Sequence, residues 1–365
     1  MSKQDLLNLS FEELKEFCIF NELPRFRATQ IWRWMYCFGL KSFNDMNNIA
    51  RMTRDFLDEK AFISRPDISE MQQSSDGTIK WLLKLYDGSE VETVFIPQDE
   101  RGTVCLSSQV GCTLNCSFCH TGTQALVRNL NANEIISQLL IVMDHLKDWP
   151  SGKDTRKVTN VVMMGMGEPL LNYNEVSKAI KVMMSDDGIS LSRRRITLST
   201  SGIIPMIEAS GKDLGVNLAI SLHAVNDDLR NQLVPINKKY NLASLIDACR
   251  NYPVLSNSRR ITWEYVMLKG INDKEQDAKE LVKLIKGIPS KINLIPFNPW
   301  PGSLYETSTP KSIDQFARIL MDAGFASPVR KPRGQDIYAA CGQLKSASEK
   351  IRKSQVNKLM PIHAL

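Results

Sequence analysis

Residues 103–122 read TVCLSSQVGCTLNCSFCHTG, a strand-like segment followed by a loop that carries three cysteines. The segment TVCLSS (103–108) has the apolar and β-branched composition of a buried strand. The cysteines of the loop, Cys112, Cys116 and Cys119, have the spacing C-x3-C-x2-C. A strand that leads into a loop of reactive side chains is typical of α/β proteins, whose functional residues gather at the C-terminal ends of parallel strands.

Five more strand candidates follow this one, at residues 158–165, 194–200, 215–223, 260–268 and 291–297. Helical patterns lie between them. NANEIISQLLIVMDHL is one example, with Asn131 and Glu134 placed for an N-terminal cap. Six strand–helix units in series predict a parallel sheet. Either a doubly wound sheet or a partial (β/α)6 barrel fits this pattern.

Polar or small-residue motifs follow most of these strands. They are the cysteine loop, GMGEP (165–169), TLSTSG (197–202), SLH (221–223) and PFNPW (296–300). Because the C-terminal ends of parallel strands meet at one edge of a sheet, these motifs are expected to converge on a single site.

The composition is that of an ordinary globular protein, with 43% hydrophobic and 24% charged residues among 365. MSKQDLLNLS at the start has no apolar core of a signal peptide, and no apolar run is long enough for a bilayer. A cytoplasmic protein without membrane segments is expected. Eight cysteines are too few for a disulfide scaffold. Three of them lie in helix-like apolar patterns and are expected to be buried: Cys18, Cys37 and Cys249.

Residues 5–60 show helical patterns only, and Ser10 with Glu13 forms a capping box. Arginines alternate there with aromatic residues: Arg25, Arg27 and Arg33 with Trp32, Trp34 and Tyr36. This pattern fits an aromatic core with solvated arginines, or a surface for nucleic acid. Next, two alternating runs within residues 80–97 flank Asp87-Gly88, which predicts a β-hairpin.

The net charge of +6 is unevenly placed. Residues 324–358 contain eight Lys or Arg residues, at 330, 331, 333, 345, 350, 352, 353 and 358, against Asp336 and Glu349. A basic terminal segment favours a polyanionic partner. A solvated helix face is the alternative interpretation.

Three thiolates on one loop can bind three irons of a four-iron, four-sulfur cluster, which leaves the fourth iron open for a small molecule. Zinc is the alternative, although structural zinc prefers four protein ligands. His120 is adjacent to Cys119 and points elsewhere if Cys119 is a ligand.

The C-x3-C-x2-C spacing with Phe118 before the last cysteine is the signature of the radical S-adenosylmethionine (radical SAM) superfamily. Over nearly its whole length the chain resembles the RlmN/Cfr family of RNA methyltransferases within it. The matching stretches are VETVFIP (91–97), CLSSQVGCTLNCSFCHTGTQ (105–124), NLNANEI (129–135), GMGEPL (165–170), TLSTSG (197–202), SLHA (221–224), PFNPWPG (296–302) and RGQDIYAACGQL (333–344). The resemblance implies a partial (β/α)6 barrel with one 4Fe-4S cluster on Cys112, Cys116 and Cys119.

The resemblance also implies roles for three residues outside the cysteine loop. Cys341 takes a methyl group from one S-adenosylmethionine, and a radical made from a second one activates it for addition to adenine C2. Glu92 then removes the C2 proton, with Glu90 as the competitor for this role. Finally Cys105 attacks the Cys341 sulfur, which releases the methylated RNA and leaves a disulfide.

The S-adenosylmethionine contacts implied by the family are Gly167, Glu168, Ser199, Ser221, Leu222, His223 and Asn298, with Ser201 as a substitute for Ser199. The implied substrates are an adenine in the peptidyl-transferase loop of 23S rRNA and the adenine 3′ of the tRNA anticodon. A flavodoxin-type reductase system as electron donor and a monomeric state are also expected.

The expected domains are a helical, RNA-binding accessory domain (1–75), a β-hairpin extension (76–98), a radical SAM core (99–330) and a C-terminal segment with Cys341 and a basic helix (331–365). Two other functions stay open. One is methylation of adenine C8, as in the sister branch of the family, because both branches share the five cysteines. The other is a non-catalytic, zinc-dependent RNA-binding protein.

Overall fold

The computed structural model describes residues 3–152, 156–253, 255–256 and 258–348. Its strands are β1 (Gln4–Asp5), β2 (Ala61–Phe62), β3 (Asp67–Gln73), β4 (Ile79–Lys84), β5 (Glu90–Gln98), β6 (Arg101–Cys105), β7 (Gln109–Val110), β8 (Arg128–Asn129), β9 (Asn160–Met163), β10 (Ile196–Thr200), β11 (Asn217–Ser221), β12 (Ile261–Met267) and β13 (Ser290–Pro296). Its α-helices are α1 (Phe11–Phe20), α2 (Phe26–Tyr36), α3 (Arg51–Lys60), α4 (Ala132–Leu146), α5 (Tyr173–Met184), α6 (Ile204–Asp213), α7 (Asp227–Leu233), α8 (Leu242–Arg250), α9 (Glu275–Leu284) and α10 (Pro310–Asp322).

Six parallel strands form the main part of a nine-stranded sheet, in the order β6-β9-β10-β11-β12-β13. All six strand predictions are confirmed. The strands follow one another in chain order, whereas a doubly wound sheet reverses its order at a switch point. The partial (β/α)6 barrel is therefore the correct one of the two expected architectures.

Three antiparallel strands continue the sheet beyond β6, in the order β5-β4-β3. The predicted hairpin is confirmed as β4 and β5, and Gly88 has the positive φ of 81° that its turn requires. Strand β3 differs from the expectation, since residues 67–73 were placed in a helical domain ending at residue 75. The helices of the N-terminal module end at Lys60, and β3 belongs to the main sheet.

Helices α4 to α9 connect successive parallel strands, and α10 follows the last one. Glu134 of α4 accepts a hydrogen bond from the Asn131 N–H at 2.9 Å, which confirms the predicted cap. One large cluster of buried apolar side chains joins helices and sheet. In the described part of the chain, no helix is both long and apolar enough to cross a membrane.

The N-terminal helices pack their aromatic side chains inward. Trp32 and Tyr36 are buried, contact each other edge-on at 4.6 Å, and the Trp32 indole donates to Ser185 Oγ near the end of α5. For these two residues the simple interpretation of an aromatic core is correct. Arg25 and Arg33 remain exposed. The capping box of Ser10 and Glu13 is present at the start of α1.

Four of the eight basic residues of the C-terminal segment, and the basic helix expected there, lie outside the described residues: Lys350, Arg352, Lys353 and Lys358. Among the cysteines expected to be structural, Cys18 and Cys249 are fully buried, and Cys37 is half-buried.

Candidate active site

The cysteine loop begins and ends in a short ladder. Strands β7 and β8 pair antiparallel on either side of it, and the Cys112 N–H donates to the Gln124 carbonyl at 3.1 Å. Within the loop, the Cys119 N–H donates to the Cys116 carbonyl at 3.1 Å. This local geometry turns all three cysteines toward one cavity at the C-terminal ends of the parallel strands.

The predicted strand-end motifs do converge on that cavity, which we call the cysteine cavity. Its walls include the three loop cysteines and residues from the GMGEP, TLSTSG and SLH motifs: Cys112, Cys116, Cys119, Gly165, Gly167, Glu168, Ser199, Ser201, Ser221 and His223. Four stretches that are separate in the sequence therefore contribute to one site, together with Cys341 and Gly342 from the C-terminal segment.

Glu168 is a buried carboxylate at the cavity wall, with 2% of its surface exposed. One oxygen accepts the Ser201 N–H at 2.8 Å and the other accepts the Leu170 N–H at 3.1 Å. Burial raises the pKa of Glu168, and these backbone donors oppose the rise. A carboxylate held in this way can receive an amino group or hydroxyl groups from a ligand.

Gly167 allows the GMGEP turn to pass close to the cysteine loop. It has a φ of 97°, and a Cβ atom there would meet the Gln109 side chain at 2.5 Å. The Gln109 amide oxygen accepts the Glu168 N–H at 2.8 Å, so this close approach also orients Glu168. A larger residue at position 167 would therefore disturb the cavity wall.

His223 is buried and uncharged. Its Nδ1 accepts the Val266 N–H at 3.0 Å, and burial lowers its pKa to about 3. The ring also meets Phe118 edge-on at 4.5 Å, which joins the SLH motif to the cysteine loop. As predicted, His120 points away from the cavity: its ring stacks on Trp300 at 4.7 Å.

Two of the expected S-adenosylmethionine contacts lie elsewhere. Leu222 does not line the cavity, because its side chain is fully buried and its N–H donates to the Glu264 carbonyl. Asn298 donates to the Cys341 carbonyl at 3.1 Å and lines a different cavity. Ser199 and Ser201 both line the cysteine cavity, so the choice between them stays open.

A second cavity lies next to the first, and we call it the two-thiol cavity because Cys105 and Cys341 both line it. Cys341 and Gly342 line both cavities. Cys341 is exposed and Cys105 is half-buried, and all eight cysteines are free thiols. The Cys341 side chain thus stands between the cysteine cavity and the two-thiol cavity.

Arg330 lines the two-thiol cavity beside both thiols. The pKa of Arg330 is raised, first by the charge of Cys341 and then by those of Glu264 and Cys105, against the effect of burial. Burial raises the pKa of Cys105 to about 12, and Arg330 opposes this rise. A cation between two thiols favours the thiolate, which is the form that attacks sulfur or carbon.

The C-terminal segment crosses from the two-thiol cavity over the cysteine loop. The His120 N–H donates to the Gly342 carbonyl at 2.7 Å, and the Thr121 hydroxyl donates to the Leu344 carbonyl at 2.5 Å. Farther along, Gln124 Nε2 donates to the Ser348 carbonyl at 2.9 Å. These bonds determine the position of Cys341.

Glu92 is buried. A strand carboxylate without partners would be expected to be exposed. Lys80 pairs with one of its oxygens at 2.8 Å, and the Lys345 N–H donates to the other at 2.8 Å. Neither of the two cavities is lined by Glu92. Its neighbour Glu90 is half-buried and accepts a hydrogen bond from Ser69.

The sheet register nevertheless relates Glu92 to Cys105. Val94 lies opposite Cys105 in the antiparallel pair of β5 and β6, and Leu82 lies opposite Glu92. Because side chains alternate between the two faces, Glu92, Val94 and Cys105 share one face of the sheet. Glu92 is thus one diagonal position from Cys105, and the backbone of Lys345 separates it from the cavities.

Four residues near the site were not assigned to it from the sequence. Lys80, Glu264 and Arg330 lie on strands or beside them without a motif. Arg230 of α7 is fully buried and donates to the carbonyls of Ser201, Ser221 and Leu222. It thereby ties the ends of β10 and β11 together. Only hydrophobic patterning around Arg230 is visible in the sequence, and it does not show this role.

The three loop cysteines fit an iron–sulfur cluster. Their thiols are free and line a common cavity, and burial raises the pKa of Cys112 to about 12. Three thiolates in such a place need cations to compensate their charge. Among the described residues, no group of three or more Cys, His, Asp or Glu could hold a single metal ion. This is compatible with a cluster, since a cluster binds each cysteine through its own iron.

Comparisons with known proteins agree with this site. Residues 106–282 match the family model of the radical SAM superfamily, and residues 4–63 match that of the ribosomal RNA large subunit methyltransferase N-terminal domain. The first match begins at the cysteine loop region and the second covers the helical module.

Similar whole proteins are also known. The dual-specificity RNA methyltransferase RlmN of Chelativorans sp. (strain BNC1) is 56% identical, with 98% of this chain and 92% of that protein covered. RlmN of Bartonella quintana (strain Toulouse) is 57% identical, with 97% and 91% covered. The crystal structure of a radical SAM methyltransferase from Sphaerobacter thermophilus superimposes with a TM-score of 0.86 at 39% identity, over 93% of this chain and 99% of that one.

The superfamily to which these proteins belong implies a 4Fe-4S cluster and S-adenosylmethionine as cofactors. The two RlmN proteins align with nearly the full length of this chain, and the two family models match its helical module and its cysteine-loop region. The chain therefore belongs to the RlmN family of radical SAM methyltransferases.

Proposed function

We propose that this enzyme methylates C2 of an adenine in the peptidyl-transferase loop of 23S rRNA and of the adenine 3′ of the tRNA anticodon. Its relatives are named dual-specificity RNA methyltransferases, which supports RNA as the substrate. The observation that carries the proposal is the position of Cys341 between two cavities. A thiol there can receive a methyl group on one side and present it to a base on the other.

Cys112, Cys116 and Cys119 would hold the cluster. S-adenosylmethionine would bind through Glu168, Gly167, Ser199 or Ser201, Ser221 and His223. When bound, these cofactors supply a methyl group and, from a second S-adenosylmethionine, the radical that activates it. The chain orients the cofactor by the buried carboxylate of Glu168 and by the strand ends that Arg230 holds together.

Cys341 would carry the methyl group as a thioether. Its side chain lines both cavities. Burial raises the pKa of the Cys341 thiol, and the positive charge of Arg330 opposes this rise, toward the thiolate that accepts a methyl group. Asn298 donates to the Cys341 carbonyl and Gln343 donates to the Pro299 carbonyl, so the backbone around the carrier is held on both sides. This would keep the carrier carbon close to the incoming base.

Glu92 would remove the C2 proton once adenine is joined to the Cys341 carbon, and the unpaired electron of the adduct would leave to the bound cluster, so that a closed-shell thioether remains. A general base must reach the proton that it removes. Since the Lys345 N–H covers Glu92 and the carboxylate lines neither cavity, this step requires that the C-terminal segment shift when RNA binds. Glu92 lies two residues along β5 from Val94, the residue opposite Cys105, whereas Glu90 lies four residues away, so Glu92 is the nearer candidate for the role.

Cys105 would then resolve the adduct. Its thiolate attacks the Cys341 sulfur, a disulfide forms, and the bond from that sulfur to carbon breaks. The carbon keeps the electron pair and takes a proton, which completes the methyl group. Such an attack at sulfur is ordinary exchange chemistry, and both thiols line the same cavity.

An adenine must leave its stack to reach Cys341, which costs least in loops and single strands. Lys331 and Arg333 line the two-thiol cavity and can bind the phosphates next to that base. The helical module can hold RNA farther away through Arg25 and Arg33, which are exposed near Phe26 and Phe38. We also propose a monomeric cytoplasmic enzyme that takes electrons from a flavodoxin-type reductase system.

Mass mapping of RNA tests this function. In a strain that lacks the protein, 2-methyladenine should disappear from the peptidyl-transferase loop of 23S rRNA and from the position 3′ of the tRNA anticodon. Return of the gene should restore both marks. If the purified enzyme makes 8-methyladenine as its sole product, the proposal of C2 methylation is wrong.

A further inference from the structure

Glu92 has an ionic partner that no sequence motif predicts. The Lys80 ammonium lies 2.8 Å from Glu92 Oε1, and the side chains of the two residues are 10% and 7% exposed. Lys80 lies on β4 opposite Val94, and Glu92 lies on β5 opposite Leu82. The pair is therefore diagonal on the face of the sheet that also carries Cys105.

A buried ion pair alone says little about function, because the cost of burying two charges can offset their attraction. This pair differs in its surroundings. The second oxygen of Glu92 depends on the Lys345 N–H, and Lys345 belongs to the segment that has to shift before the carboxylate can meet RNA. After that shift, Lys80 is the remaining polar partner of the carboxylate among the described residues.

We propose that Lys80 is a positioning residue for Glu92: its ammonium group keeps the buried carboxylate anionic and directs its free oxygen toward the two-thiol cavity. The inference rests on the proposed role of Glu92 as the base. The proton from adenine C2 goes to the Glu92 carboxylate, and Lys80 takes no part in the transfer.

The charges around Glu92 support this role. Burial raises the pKa of Glu92, Lys80 lowers it, and Glu70 of β3 raises it further. The other charged or titratable groups near the pair are Lys345 of the C-terminal segment and His120 of the cysteine loop, whose pKa is lowered by burial and by both lysines. Without Lys80, the carboxylate would therefore hold a proton at higher pH and could not accept one from the substrate.

Single-turnover assays test the inference with the full-length enzyme, reconstituted with its cluster and supplied with S-adenosylmethionine, a reductant and an RNA that contains the target loop. The variants are Lys80→Met, Lys80→Gln, Lys80→Arg and Glu92→Gln. Lys84→Met is the matched control, because Lys84 lies on the same face of β4 but is exposed. Three quantities are measured: methylation of Cys341, the covalent protein–RNA adduct, and the rate of product release against pH.

We expect Lys80→Met and Lys80→Gln to methylate Cys341 as the parent does and to accumulate the adduct near neutral pH, as Glu92→Gln does. The acid limb of their pH–rate profile should move up by about one to three pH units, the effect of removing an opposite charge at this distance. Lys80→Arg should keep the parent profile, since it retains the charge. Lys84→Met should behave like the parent.

Two results would overturn the inference alone: an unshifted profile in Lys80→Met and Lys80→Gln, or the same shift in Lys80→Arg. The inference would also be overturned if Lys80→Met and Lys80→Gln lost both Cys341 methylation and product release, because a general structural role of Lys80 would then explain the defect. If Glu92→Gln itself releases product at the parent rate, the proposed base is wrong, and the inference about Lys80 fails with it.

Discussion

Cys105 and Cys341 line the same cavity although they come from distant parts of the chain, and Arg330 lies beside both thiols. One thiol is on the last residue of β6 in the core, and the other lies on a segment held by the cysteine loop. Each thiol therefore has a partner for disulfide formation. The positive charge of Arg330 lies beside both thiols and opposes the effect of burial on their pKa values.

The first prediction concerns these two thiols. Cys105→Ala should accumulate a covalent protein–RNA adduct, because nothing then attacks the Cys341 sulfur. Cys341→Ala should form no adduct, because the carrier is missing. Denaturing gels with labelled RNA measure both outcomes. A Cys105→Ala enzyme that releases methylated RNA at the parent rate would rule out Cys105 as the resolving thiol.

The second prediction distinguishes the two candidate bases. Glu92→Gln should lower the rate of product formation by about 100-fold or more, the usual contribution of a general base. Glu90→Gln should change the rate little, because Glu90 lies at the start of β5 and its carboxylate accepts a hydrogen bond from the Ser69 hydroxyl. Methyladenine formed per unit time is the measurement. The opposite ranking of the variants would assign the base to Glu90.

The third prediction concerns the cluster. Anaerobically purified protein should contain about four irons and four sulfides per chain, as a single 4Fe-4S cluster requires. Replacement of Cys112, Cys116 or Cys119 by Ala should abolish this content. Cys37→Ala is the control, since Cys37 is half-buried in the helical module away from the cavities.

Colorimetric iron and sulfide assays and the visible absorption spectrum check this prediction. A colourless protein with one zinc and no sulfide after reconstitution would favour the zinc-dependent RNA-binding protein instead.

The fourth prediction concerns stability. Arg230→Met should lower the free energy of unfolding by about 3 kcal/mol or more, because it leaves several buried carbonyls without donors. Arg318→Met should have little effect, since Arg318 is exposed on α10. Urea unfolding followed by circular dichroism measures both. Equal effects of the two substitutions would contradict a structural role for Arg230.

The fifth prediction concerns pH. The pKa of His223 is about 3 in the folded chain, well below that of an unfolded histidine near 6.5. Between these values the unfolded state binds the extra proton, so stability falls as the pH is lowered through this window. His223 alone should contribute about 1.4 kcal/mol per pH unit there.

Urea midpoints of the cluster-free chain between pH 7 and pH 4.5 measure this slope. His223→Asn should reduce it, because asparagine can accept the Val266 N–H without titrating. An unchanged slope in that variant would show that another group controls the acid sensitivity.

Much of the site could be predicted because its features are local. The cysteine loop places three thiols within eight residues, so folding cannot move them far apart. The six parallel strands have continuous apolar runs separated by helical patterns, and their C-terminal ends meet by the geometry of a parallel sheet. For the same reason Glu168, Ser199, Ser221 and His223 were expected at one cavity, and they line it.

Other features could not be predicted from local patterns. The placement of β3 in the main sheet, the burial of Leu222 away from the cavity and the contact of Asn298 with the Cys341 backbone all depend on packing between distant segments. Arg230 and Lys80 are charged residues that the fold buries, whereas charge alone predicts exposure.

The amino-acid sequence by itself determined the cluster-binding loop, the succession of strands and helices and the family, because each depends on residues close together in the chain or on identity along it. Only the tertiary structure decided that Cys341 stands between two cavities, that Glu92 shares a sheet face with Cys105, and that Lys80 forms an ion pair with Glu92. These relationships depend on strand register and on the course of the C-terminal segment. A shift of one residue in register would turn Glu92 to the other face, and no local pattern around Glu92 records that choice.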